Sequence, residues 1–349
     1  MNKKLIVALA AAAATASYAQ SSVTLTGNID AAVRHATGSI GNTTSLGSGG
    51  ISGSRIHFRG IEDLGGGMSA SFWLEAQFDA SNGAGLGTNT NNQASGNAPA
   101  GQTGIIFNRR STVSLAGSWG ELRLGRDYTP QFWNVNAMDP FQTNGIGASN
   151  VLLYGQGGNV AARASNSIGY HSPGRTGFYG QGMVFFGENN QNGAATEDDG
   201  NGWSTRLGHR GSAHDFAIAH GKSNYAAGDV TTTNLGAKYD FGALTLTGTY
   251  QTDRVATGRG KGYLVGLQYD IGAGTIRASY STYKRALPGN PEAGKFALGY
   301  VHNLSKRTAL YGTVAHLKNK GTATLALADA VTGPGQKSSG IELGIRHLF

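Results

Sequence analysis

Arginines are the side chains in this 349-residue sequence whose type and spacing could do chemistry. Arg55 and Arg59 flank His57 at two-residue spacing. Arg109 and Arg110 adjoin, and Arg34, Arg123, Arg163, Arg206 and Arg277 each sit in or beside a stretch that alternates polar and apolar residues. A guanidinium presents a planar fork of donors to carboxylate or phosphate and stays charged at any physiological pH. Many unpaired guanidinium groups in a dry core would be strongly destabilising. Lining water they are tolerated, and they bias which ions approach. The chemistry on offer is attraction of anions rather than bond making. The nine histidines are scattered without metal spacing and there is no cysteine. The run Gly-Arg-Gly-Lys-Gly at 258–262 lacks phosphate-loop spacing. No Ser/His or Asp/His pair stands out as a catalytic group. These points argue against an enzyme, a resident metal and a cofactor.

The elements that must carry these arginines are strands. Val23, Leu25, Ile29, Ala31 and Val33 share one face, with Thr24, Thr26, Asn28 and Asp30 opposite. The same period of two recurs around 244–250, 263–270 and 276–281, and at the end, where Ile341, Leu343, Ile345, His347 and Phe349 alternate with Glu342, Gly344 and Arg346. Sixteen such segments are expected, near 22–34, 54–64, 68–80, 107–118, 121–129, 164–173, 177–188, 202–212, 214–225, 231–241, 243–254, 260–271, 274–285, 293–304, 308–319 and 339–349. Short turns at 64–67, 118–120, 173–176, 242 and 272–273 alternate with loops at 35–53, 81–106, 130–163, 189–201, 226–230, 255–259, 286–292 and 320–338. Short turns on one rim and long loops on the other, with aromatics such as Phe72, Trp119, Phe178, Tyr239 and Tyr300 near strand ends, describe a membrane barrel. A soluble all-β solenoid or sandwich shares the alternation but explains neither the loop asymmetry nor the aromatic last strand.

Composition agrees. Glycine is 56 of 349 residues and proline only 7, and without cysteine no disulfide staples the fold. Lys3 and Lys4, an apolar run from Leu5 to Ala14, and small residues around Tyr18 read as an export signal over 1–19. The run is too short to cross a bilayer, so a membrane-spanning chain of this kind must be an all-β, 16-stranded antiparallel transmembrane barrel occupying 20–349. Of the net charge of +8, two units belong to Lys3 and Lys4. The remaining excess suits a lumen that attracts anions, and alternating strands with inward arginines do not form the exposed stripe that nucleic acid needs.

Parity points Arg55, His57 and Arg59 inward, since Ile56 and Phe58 take the lipid side. It points Arg110 inward by the same reasoning from Val113 and Leu115, with Arg109 at the strand start. Arg163 extrapolates inward from Ile168 and Tyr170, and Arg34, Arg123, Arg206 and Arg277 also point in. A barrel of this width holds an aqueous channel. Loop 130–163 carries Phe132, Trp133, Met138, Pro140, Phe141, Leu152, Leu153 and Tyr154, too apolar a set to leave in water. It is expected to fold into the barrel and narrow it, and Asp139 is its one acid.

Several short stretches in order resemble the general porins of Gram-negative bacteria, most closely the beta-proteobacterial branch with trimeric anion-selective porins. They are Ser21-Ser22-Val23-Thr24-Leu25, Ser54-Arg55 leading to 59–67 (Arg-Gly-Ile-Glu-Asp-Leu-Gly-Gly-Gly), and 108–115 (Asn-Arg-Arg-Ser-Thr-Val-Ser-Leu). To these are added 120–127 (Gly-Glu-Leu-Arg-Leu-Gly-Arg-Asp), 298–311 and 344–349 (Gly-Ile-Arg-His-Leu-Phe). The resemblance covers essentially the whole chain. It implies a homotrimer in the outer membrane, in contact with its lipids and lipopolysaccharide, whose third long loop folds into each pore. It also implies a constriction of Arg55, Arg109, Arg110 and Arg163 facing Asp139, with Phe349 as the assembly signal. Cation-selective relatives carry pairs of loop acids, whereas loop 130–163 has Asp139 alone, which favours anions. The expected activity is passive diffusion of small hydrophilic solutes and anions. Alternatives are a channel specific for phosphate or organic anions, and a barrel serving mainly as an adhesin or surface antigen through 81–106 and 320–338, loops that also look like spacers or subunit contacts.

Overall fold

The computed structural model describes residues 22–94, 102, 104–149, 151–152, 162–174 and 176–349. The export signal and its cleavage site lie outside the described residues, as do Leu153 and Tyr154. The strands are β1 (Ser22–Thr37), β2 (Thr43–Ser48), β3 (Arg55–Gly65), β4 (Met68–Gln77), β5 (Arg110–Gly117), β6 (Gly120–Tyr128), β7 (Arg163–His171), β8 (Gly177–Phe185) and β9 (Gly202–Arg210). They continue with β10 (His214–Ser223), β11 (Val230–Asp240), β12 (Leu244–Val255), β13 (Gly258–Ile271), β14 (Gly274–Ala286), β15 (Glu292–Asn303), β16 (Thr308–Lys320) and β17 (Lys337–Leu348). One helix, α1 (Pro130–Met138), follows β6. Each strand pairs antiparallel with its neighbours. The sheet closes where β1 meets β17, from Asn28↔Leu348 to Thr37↔Ser339.

Seventeen strands make sixteen staves. β1 is flanked on its second side by β3 over Ser22–Asn28 and by β2 over Ala31–Ala36. The predicted loop 35–53 therefore contains wall, and the second stave is broken at 49–54. The break strands backbone N–H groups that would otherwise have ladder partners. Asp30 supplies the acceptors: its carboxylate takes the N–H of Gly50 (3.2 Å), Ile51 (2.9 Å) and Ser52 (2.8 Å), and the hydroxyl of Tyr311. Asp30 is fully buried.

The turns follow from residue type. Gly65, Gly66 and Gly67 all have positive φ (77°, 60° and 79°), which side-chain-bearing residues resist, so β3 reverses into β4 within three glycines. At the opposite rim, the expected loop 255–259 shrinks to Ala256 and Thr257, a tight hairpin between β12 and β13.

The outer wall is apolar because it faces lipid. Val23, Leu25, Ile29 and Val33 of β1 and Ile341, Leu343 and Ile345 of β17 are exposed. Phe349 exchanges backbone hydrogen bonds with Gly27 (2.9 and 3.0 Å), and its ring covers the space where a Gly27 side chain would stand.

The core lies inside the barrel. α1 packs on β9–β12. Asn134 Nδ2 donates to the Ala217 carbonyl (3.1 Å) and to Asn234 Oδ1 (2.8 Å), and Asn234 Nδ2 donates to the Gln131 carbonyl (3.0 Å). Inward glycines make room: a Cβ on Gly236 would come within 2.8 Å of Met138, and one on Gly266 within 2.3 Å of Pro140. Beyond the helix, Phe141, Ile146 and Val151 pack with inward Ala293, Ala297, Ala315 and Leu317 and with Leu325, Leu327 and Ala330 of the last loop. Each large side chain so buried contributes about 1.5–3 kcal/mol. The last loop is thus a second inward-folded segment, where 320–338 looked like a spacer or a subunit contact. The two loops fill the side of the lumen against β14–β17.

Candidate functional site

The open side lies against β3–β7. Arg55 stands at the start of β3, Glu75 and Gln77 at the end of β4, Arg109 just before β5, and Tyr128 and Arg163 where β6 and β7 meet the loop. With Ser52 they form one wall of a cavity of about 460 Å³, and Phe132, Trp133, Asn136, Gln142, Thr143 and Asn144 form the other. Arg109 is the hub. Its Nε lies 2.5 Å from Glu75 Oε1, one terminal nitrogen donates to Gln77 Oε1 (2.7 Å), and the other donates to the Tyr128 hydroxyl (3.0 Å). Arg55 Nε is 3.5 Å from the same Glu75 oxygen. Arg163 donates to the Tyr128 hydroxyl (2.7 Å), with its guanidinium carbon 4.2 Å from the centre of the Tyr128 ring. That ring packs in turn on Phe132 and Trp133 of α1 (centroids 4.9 and 5.1 Å). Two guanidinium groups therefore share one carboxylate, and a third, Arg163, joins them through the Tyr128 hydroxyl that also receives Arg109.

Arg55, Arg109 and Arg163 line one cavity, and Arg163 reaches it by another route than strand parity. A register shift between Gly125 and Asp127, with Asn166 at φ 52°, breaks the simple alternation of β7. Ala164 packs with Met183 and Phe185, the inward residues of β8. Arg163 reaches Tyr128 because the chain turns into the lumen there.

Two expected members stand elsewhere. Arg110 turns away from the cavity: its guanidinium lies over the Trp73 indole (4.7 Å), 3.6 Å from Asp127, and donates to Thr112. Arg59 (5.3 Å) and His57 (stacked, 5.2 Å) share that indole, so they form a separate layer with Arg110. Asp139 does not face the arginines. It is buried, and it accepts the N–H of Phe141 (2.9 Å), Thr143 (3.0 Å) and Ser149 (2.8 Å) and the Ser149 hydroxyl (2.7 Å). A carboxylate following a helix end satisfies the loop's stranded donors first.

The remaining arginines line other parts of the interior. Arg34 pairs with Glu342 (2.5 Å) beside a neighbouring cavity of about 400 Å³. Arg123 lies between Glu121 (2.9 Å) and Asp127 (2.5 Å). Arg206 is buried under α1, donating to Asn134 (3.2 Å), with its guanidinium 5.0 Å from the Tyr179 ring. Arg277 sits in register between Gln268, which donates to the Pro140 carbonyl (3.2 Å), and Gly299, against which Phe141 packs.

The sequence reading missed Glu75, Gln77 and Tyr128. The first two share inward parity with Trp73 and were findable on that signal. Tyr128 follows the register shift and was not.

A family model described as Gram-negative porin matches residues 7–322. Outer membrane porin protein 32 of Delftia acidovorans is 35% identical over the full length of both chains. An outer membrane porin protein of Bordetella pertussis (strain Tohama I) is 30% identical over 85% of this chain and 82% of its own. Among solved structures, one titled anion-selective porin from Comamonas acidovorans superposes with a TM-score of 0.80 at 32% identity. It covers 95% of this chain and all of that one. Closed barrel, inward loop and sequence kinship together place the chain in the Gram-negative porin family, as a non-enzymatic channel of the outer membrane.

Proposed function

We propose that this channel passes small hydrophilic solutes and ions by diffusion, with a weak preference for anions. The observation that carries the reading is the charge of the cavity between wall and loop: Arg55, Arg109 and Arg163 against Glu75 alone. The loop adds no carboxylate there among the described residues, because Asp139 is engaged with its own backbone. In a narrow lumen with low-dielectric walls, such an excess raises the local anion concentration. The solved relative whose title calls it anion-selective, at 32% identity, supports the sign. Reversal potentials of the purified protein in planar bilayers under a salt gradient test it. A potential of cation-selective sign would refute the preference.

A more specific reading, a saturable site for phosphate or organic anions, is favoured by one feature. The Tyr128 hydroxyl holds Arg109 and Arg163 in fixed poses, which suits a multidentate oxyanion. Concentration-dependent block of chloride conductance by phosphate or a dicarboxylate would favour it. Porins of this family are commonly trimeric, and we propose a homotrimer with Phe349 as the terminal signal for barrel assembly.

A further inference from the structure

The loop between β4 and β5 reaches past β5 and β6 to the start of β7. Residues 89–93 form a turn closed by Asn89, whose side chain accepts the Gln93 N–H (3.0 Å) and donates to the Gln93 carbonyl (2.9 Å). Asn92 lies in this turn, buried and with φ 54°. The turn is gripped from behind. The Tyr225 hydroxyl donates to the Asn92 carbonyl (2.9 Å), and a Cβ on Gly200 would lie 2.5 Å from the Asn91 carbonyl oxygen.

The start of β7 needs such a support. β6 pairs with β7 at Gly125↔Ser167 and next at Asp127↔Ala164, so Ser165 and Asn166 stand opposite Arg126 alone, a bulge. The ladder with β8 begins only at Ser167↔Phe185. Ser165 thus falls outside both ladders, and its backbone groups need another partner. The Asn92 carboxamide is that partner. Its Oδ1 accepts the Ser165 N–H (2.7 Å), and its Nδ2 donates to the carbonyls of Ser165 (3.0 Å) and Phe186 (2.9 Å). One side chain so replaces a residue of a neighbouring strand. Ser165 Oγ donates to the Asn89 carbonyl (2.9 Å), and Asn166 Nδ2 to the Thr90 carbonyl (3.1 Å). Arg163 stands two residues before Ser165, its guanidinium held by the Tyr128 hydroxyl (2.7 Å).

We propose that Asn92 is a positioning residue for the cavity wall: by fixing the β7 bulge it holds the Arg163 guanidinium against Tyr128. A loop outside the constriction thereby tunes the pore's ion preference. That consequence rests on the anion preference proposed above; the placement of Arg163 does not. Asn92→Gly tests it, because glycine accepts the left-handed backbone and only the carboxamide is lost. Reversal potentials of the purified full chain in planar bilayers give the first readout. R163Q and N92G should each lower the anion-to-cation permeability ratio by about twofold, and R163Q/N92G should fall no lower than R163Q. N82G, which removes an acceptor for the Ala84 N–H (2.8 Å) in the same loop, should leave the ratio unchanged. The second readout needs no ion preference. The chain has no cysteine, so a nitroxide on R163C reports that position alone. N92G should sharpen its spectrum and N82G should not. Losses from R163Q and N92G that add, a lowered ratio for R163Q with none for N92G, or an equally immobile label in N92G would each overturn the assignment. No effect of R163Q on the ratio would instead refute the part of Arg163 in the anion preference, and the label then decides the placement. If N92G forms no conducting channel, N92D replaces it in the label measurement, since it keeps the acceptor for the Ser165 N–H and loses both donors; an unchanged spectrum overturns the assignment there too.

Discussion

Arg109 and Glu75 are bound at 2.5 Å, and the same carboxylate lies 3.5 Å from Arg55. The acid that offsets the guanidinium groups stands among them on the wall, not across the lumen. It does two things at once: it orders the arginines and subtracts from their field.

Glu75→Gln removes that subtraction. The anion-to-cation permeability ratio should rise about two- to fivefold, the effect of one unit charge a few ångströms from the ion path in a wet lumen. Reversal potentials in asymmetric chloride salts measure it, and a lowered ratio would mean that Glu75 serves chiefly to hold Arg55 and Arg109 in place.

Arg55→Gln combined with Arg163→Gln should lower the same ratio by a comparable factor. Arg110→Gln should change it much less, because Arg110 lies outside the cavity, over Trp73 and near Asp127. Equal effects from both changes would dissolve the distinction between the two layers.

The anion preference should weaken as salt rises from 0.1 M to 1 M, as the screening length falls from about 10 Å to about 3 Å. A ratio independent of salt would point to selection by size or direct ligation.

Asp139→Ala should loosen the loop with little change in ion preference. Four donors lose a buried charged acceptor, a loss on the order of 3 kcal/mol or more. Open-channel current noise and earlier thermal unfolding report it. A quiet channel with a markedly stronger anion preference would restore Asp139 to the pore.

Gly266→Ala places a methyl where Pro140 already sits, 2.3 Å away. Overpacking costs typically about 1–3 kcal/mol, so the loop should shift and single-channel conductance should change while the barrel persists. Unaltered conductance and stability would show that the contact is soft.

The wall was legible because side-chain alternation is the direct imprint of a barrel between lipid and water. Ile56 against Arg55, and Val113 against Thr112, announce their faces. Two things were not legible. Folding over the break at 49–54 depends on Asp30, whose role as an acceptor for three distant N–H groups leaves no periodic trace. α1 was written in Pro130 and the spacing of Phe132, Val135 and Met138, but short helices compete poorly with a strand pattern on either side. The site was half visible: parity named Arg55, while the partner of each arginine depended on where the chain bends. Asp139 shows why residue type alone misleads. A lone acid in an inward loop suggests an ion path, yet the nearest demand on it was its own backbone.

The seam between β1 and β17 has a consequence for how the molecule comes into being. Arg34 and Glu342, paired across it, are 308 residues apart, so bringing the seam together costs about 5 kcal/mol of chain entropy. Nothing offsets that until the last strand arrives and its ladder forms. The pore is therefore absent from every nascent fragment, and synthesis must finish before any hole can exist. A chain that stalls one strand short carries two open edges and no channel, a harmless failure for a protein whose completed form perforates a membrane.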